Sequence, residues 1–109
     1  MAYDEGLAER VRNHLAGVDG VCEKEMFGGV GFMVNGNMAC GPNGEFLIVR
    51  VGPDVYQEAL ELPGADEMKF TGRPMKGWVQ VEIDQLEDDK VLAEWIDRGL
   101  EFADSLPPK

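Results

Sequence analysis

Histidine and cysteine are close to absent: His14 is the single imidazole, and Cys22 and Cys40 are the only thiols. Together they offer three soft ligands, none at the short paired spacing that zinc sites use, which speaks against a metal centre. Two cysteines are too few for a disulfide-rich secreted scaffold and fit small apolar side chains in a reducing cytosol. No apolar run approaches the roughly 18 residues needed to cross a bilayer. The opening Met1-Ala2-Tyr3-Asp4-Glu5 has neither the basic region nor the apolar run of a signal peptide. We therefore expect a cytoplasmic protein with no membrane partner. Gly-x-Ser-x-Gly, His-Glu-x-x-His and a Walker lysine are missing as well, so neither an enzyme nor a cofactor is expected.

Positive charge is scarce too. Ten Lys and Arg stand against 21 Asp and Glu, a formal charge of -11. Such a surface repels phosphate backbones over about one Debye length, roughly 8 Å. Direct nucleic-acid binding is not expected, because it depends on cations that displace condensed counterions. The acid is concentrated between Glu82 and Asp104, where nine carboxylates meet only Lys90 and Arg98. The plain reading is a solvated helix face; the sharper one is a docking surface for a basic partner.

What is present makes one domain. The chain has 109 residues, 44% of them hydrophobic, enough for a single modest core. Leu7, Val11 and Leu15 recur every four residues and predict an amphipathic helix over about Asp4 to Ala16, capped by Asp4 and ended by Gly17 and Asp19-Gly20. From Val21 to Val51 the pattern becomes that of three or four antiparallel strands. Asn35-Gly36 suits a type I′ hairpin, and Gly41-Pro42-Asn43-Gly44 reads as a second turn. Gly52-Pro53-Asp54 opens a second helix with Val55, Tyr56, Ala59 and Leu60 on its apolar face, stopped by Pro63-Gly64. A short edge strand at Met68-Lys69-Phe70, a loop from Thr71 to Gly77 and a half-exposed strand with Val79, Val81 and Ile83 facing inward follow. A long helix capped by Asp88 or Asp89, with Val91, Leu92, Trp95, Ile96, Gly99, Phe102, Ala103 and Leu106 on one face, closes the chain before Pro107. The order is helix, three or four strands, helix, one or two strands, helix. It predicts a two-layer α+β domain, an antiparallel sheet covered by helices.

The run Gly28-Gly29-Val30-Gly31 is not a phosphate loop, because Phe32-Met33-Val34 continues as strand where a helix N-terminus would be required. Two segments stand out instead. In Glu25 to Met38, glycines alternate with large apolar side chains, which in a strand means a bulge, a sharp bend or a close neighbour; Met33 and Met38 would also suit an adaptable partner groove. Lys69 to Trp78 gathers Lys69, Arg73 and Lys76 beside aromatic side chains. This local positive patch can receive an anion or a carboxylate-rich partner, or can pair with the acidic last helix.

Through these stretches the chain resembles the N-terminal domain of the TfoX/Sxy family, known from regulators of natural competence in proteobacteria. The resemblance rests on Lys24-Glu25-Met26-Phe27-Gly28-Gly29, Phe32-Met33-Val34-Asn35-Gly36-Asn37-Met38, Val49-Arg50-Val51-Gly52-Pro53 and Phe70-Thr71-Gly72-Arg73-Pro74-Met75-Lys76-Gly77, with matching ends. It implies a bacterial, stand-alone N-terminal domain, since the chain stops where the family's C-terminal domain would begin. It also implies a fold similar to that of type III secretion chaperones, small acidic proteins that dimerise and hold partner segments. It brings no catalytic residues to carry over.

The resulting expectation is a non-enzymatic regulatory or protein-interaction module, dimeric, with a protein partner. Its contact surface would comprise Met26, Phe27, Gly28, Gly29, Phe32 and Met33 of the meander together with Phe70, Arg73, Met75, Lys76 and Trp78. Two rivals stand beside it. One is a small anionic-ligand domain in which Arg73 and Lys76 hold the anion. The other is an enzyme using Cys22 or Cys40 as nucleophile, which needs an exposed thiolate near a cation.

Overall fold

The computed structural model describes residues 3–26, 29–68 and 76–107. Helix α1 (Glu5–His14) begins where the Asp4 carboxylate accepts the Leu7 amide at 2.8 Å. Four strands follow as a meander: β1 (Val21–Met26), β2 (Gly29–Val34), β3 (Asn37–Asn43) and β4 (Phe46–Arg50). Asn35 (φ 52°) and Gly36 (φ 86°) both take the left-handed conformation that a type I′ turn demands. Helix α2 (Tyr56–Leu60), edge strand β5 (Ala65–Glu67) and β6 (Trp78–Glu82) come next. A single 3-10 turn (Ile83–Leu86) then leads into α3 (Asp89–Ser105), which Asp88 caps by accepting the Lys90 amide at 2.8 Å.

The six strands form one antiparallel sheet in the order β1-β2-β3-β4-β6-β5, and the α+β class expected from the sequence is the one observed. All three helices lie on one face. Leu7 and Val11 of α1, Tyr56 and Ala59 of α2, and Leu92, Trp95 and Ile96 of α3 share a core with Val30, Phe32, Cys40, Leu47, Val49, Val79 and Val81. At roughly 25 cal/mol per Å² of apolar surface removed from water, this shared core is the main stabilising term. Buried Asn37 donates from Nδ2 to the Pro107 carbonyl at 3.0 Å, fastening the end of α3 to the start of β3.

Four local expectations need correction. Gly41-Pro42 is strand, and the turn is confined to Gly44-Glu45. Pro42 pairs with Leu47 of β4, whereas the β2 pairing of β3 runs only from Cys40 to Asn37, so the missing proline N–H falls where β3 is bonded on one side. Helix α2 starts at Tyr56, not at Pro53: Gly52 (φ 89°) turns the chain first, and Val55 ends up 40% exposed and off the apolar face. The edge strand occupies Ala65–Glu67, with Met68 just beyond it and Lys69 and Phe70 outside the described residues. Finally, β6 ends at Glu82, and Ile83 enters the 3-10 turn while its amide donates to the Glu45 carbonyl at 3.1 Å.

Candidate interaction surface

Alternation along the strands sends every second side chain away from the helices. There Met38 of β3, Ile48 of β4 and Met68 after β5 form a second, smaller buried cluster, against which Met33 of β2, Phe46 of β4 and Trp78 of β6 pack half-buried. Met33 and Trp78 come from the two segments singled out in the sequence, 45 residues apart, and the sheet brings both to this one cluster. Three thioethers give it an adaptable apolar surface.

Arg50 lies at the border of this cluster. It pairs in register with Trp78, and its guanidinium carbon sits 5.2 Å from the ring centroids of both Trp78 and Phe102, a double cation–π arrangement that bridges sheet and α3. The turn before β6 is pinned beside it. Gly77 (φ 94°) offers its carbonyl to the amides of Val51 at 2.8 Å and Gly52 at 3.0 Å, so the loop carrying Lys76 is anchored at the end of β4.

The remaining candidates divide clearly. Phe32, 1% exposed, belongs to the main core that the sheet shares with the helices. Gly29 serves a close approach of β2 to β3: a Cβ there would overlap the Pro42 carbonyl oxygen, as one on Gly41 would overlap that of Val30. The register shift between Phe32 and Met33 makes Ala39 the extra residue of a bulge, which turns both Ala39 and Cys40 toward the helices. Lys76 is exposed. Phe27, Gly28, Phe70, Arg73 and Met75 lie outside the described residues, as does the side chain of Met26 at the end of β1.

Electrostatics narrow the rival readings. Among the described residues α3 is tied to α1 by the Arg10–Asp89 ion pair at 2.8 Å and by a His14–Asp97 side-chain contact at 3.0 Å, and no ion pair there involves Lys76. Burial without a charged neighbour pushes the Cys40 thiol up to about 12, so it supplies no thiolate at neutral pH. Cys22 is exposed. Among the described residues no three His, Cys, Asp or Glu gather as a metal site.

Two features escaped sequence reasoning. Arg50 is one, since nothing in Val49-Arg50-Val51 announces the rings that flank it. The other is a cleft of about 390 Å³ between α2 and the C-terminal half of α3, which depends on how the two helices meet.

Fold and surface together define a class: a two-layer α+β domain whose single sheet carries helices on one face and a methionine-rich cluster on the other. The family model of the TfoX N-terminal domain matches residues 13–103, nearly the whole chain. The chain belongs to that family. No curated protein and no solved structure matches it. Among the described residues no helix is long and apolar enough to cross a membrane.

Proposed function

We propose that the protein is a cytoplasmic, non-enzymatic regulatory module that binds another protein, and that the contact surface joins the glycine-rich meander to the loop carrying Arg73 and Lys76. The observation that carries this reading is the meeting of Met33 and Trp78 at one apolar cluster on the sheet face away from the helices. Half-buried aromatic and thioether side chains beside exposed Lys76 combine an apolar anchor with a charged rim, the usual anatomy of a contact patch. The burial of Cys40 argues against that thiol as a nucleophile, while Cys22 is exposed. By analogy with dimeric chaperones of similar size, the module acts as a homodimer.

Affinity capture from native cytosol tests the surface. A partner held by the wild type should be lost with Arg73→Glu and with Trp78→Ala, each first checked for native circular dichroism. Identical partner sets from wild type and both folded variants would sink the proposal. Light scattering at high micromolar concentration tests the dimer, and a monomer mass there removes it.

A further inference from the structure

The cleft between α2 and α3 adjoins the Gly77 turn at Val51 and Gly52 but has neither Lys76 nor Trp78 in its lining, and what it could hold follows from that lining. Its floor is apolar: Val55, Leu62 and the Phe102 ring face it, and Val55 is the one large hydrophobic side chain exposed among the described residues. Phe102 reaches this position because Gly52 has no side chain, a Cβ there overlapping the ring. Three carboxylates, Asp54, Glu58 and Glu101, line the cleft, and each belongs to an exposed residue. The single cation in the lining is Arg98, whose guanidinium carbon is held 4.8 Å from the Trp95 ring centroid. An apolar floor with a net negative lining, on a chain of charge -11, is complementary to an apolar side chain flanked by cations.

We propose that this cleft docks a basic amphipathic helical segment of another protein, with apolar side chains on Val55, Leu62 and Phe102 and Lys or Arg side chains on Glu58 and Glu101. The acidic stretch then has a task beyond solubility at its C-terminal end, where it faces α2. The mode is helix-in-groove, with the groove supplied by two helices of unequal length. It does not rest on the proposed function, and neither Lys76 nor Trp78 is in the lining of the cleft.

The probe is a fluorescein-labelled peptide of repeating Leu-Lys-Lys-Leu, with Leu-Glu-Glu-Leu as its acidic counterpart, followed by anisotropy at about 0.15 M salt. The acidic protein should bind the first and not the second. Charge alone would let any acidic surface do so, and the variants separate the cases. Val55→Asp makes the protein more acidic yet should weaken binding about fivefold by removing the apolar contact. Glu58→Lys with Glu101→Lys should weaken it about tenfold, while the charge-matched Asp19→Lys with Glu45→Lys should stay within about twofold. Backbone amide shifts of the wild type on titration should cluster in residues 51–62 and 98–105, a measurement independent of whether any variant folds. Undiminished binding by Val55→Asp, an equal loss in the charge-matched control, or shifts centred elsewhere would each overturn the assignment.

Discussion

Gly99 of α3 rests on the carbonyl oxygen of Ala39, the extra residue of the β2–β3 bulge, so closely that a Cβ on Gly99 would overlap that oxygen. The long helix crosses the sheet at its most distorted point because bulge and glycine fit each other. Alanine is the better helix former by about 1 kcal/mol, but here the obstruction is backbone and cannot rotate away. Gly99→Ala should therefore destabilise the fold by about 1–3 kcal/mol in urea denaturation. A midpoint equal to or above that of the wild type would show that α3 can lift off the bulge freely.

Tyr56 is buried and its hydroxyl has no hydrogen-bond partner among the described residues. Burial first, then the charges of Glu67 and Asp66, holds its phenol above the ordinary value. Tyr56→Phe should leave stability unchanged or raise it by up to about 1 kcal/mol, since an unsatisfied buried group is removed. The pH dependence has a definite sign. The unfolded chain ionises first, so wild-type stability falls as pH rises beyond about 10, and the phenylalanine variant should lose that part of the fall. A clear loss of stability in the variant at neutral pH would mean that the hydroxyl is bonded.

The two thiols should react at very different rates. Cys22 is exposed, whereas Cys40 is enclosed in the core with its thiol raised to about 12. A disulfide reagent at pH 8 should titrate one thiol per folded chain at once and the second only on unfolding. Two equally fast thiols would place Cys40 at the surface and contradict the register of β3.

Arg12 of α1 binds Glu23 of β1 through two short contacts, Nε to Oε2 at 2.6 Å and Nη2 to Oε1 at 2.7 Å. This bonding holds the Glu23 carboxyl below its usual range despite partial desolvation. Its stabilising effect is complete above the unfolded value, about 4.3, and disappears as pH falls through the lowered folded value. The stability gap between wild type and Glu23→Gln should be measurable at pH 7 and shrink steadily as acid takes the pH below about 4. A gap that persists in acid would assign the effect to packing.

Elements whose stability is decided along the chain were legible in the sequence. The amphipathic period fixed α1 and α3, Asp4 and the pair Asp88-Asp89 announced their starts, and Asn35-Gly36 identified the hairpin, because periodicity, capping and left-handed turns are properties of a few neighbouring residues. The glycine-rich stretch was expected to hold a bulge, a bend or a close neighbour, and it holds a register shift and closely approaching backbones. Glycines alternating with large apolar side chains, and cations gathered beside aromatics, pointed to the two segments that meet at Met33 and Trp78. Long-range packing decided the rest. Whether Phe32 faces the helices or the outer cluster depends on sheet register, and Pro42 can enter a strand only because β2 stops pairing there. Arg50 gains the Trp78 ring from strand pairing and the Phe102 ring from α3, and Val55 its place in a cleft, because burial of apolar surface, a force without direction in sequence, brings helices alongside the sheet.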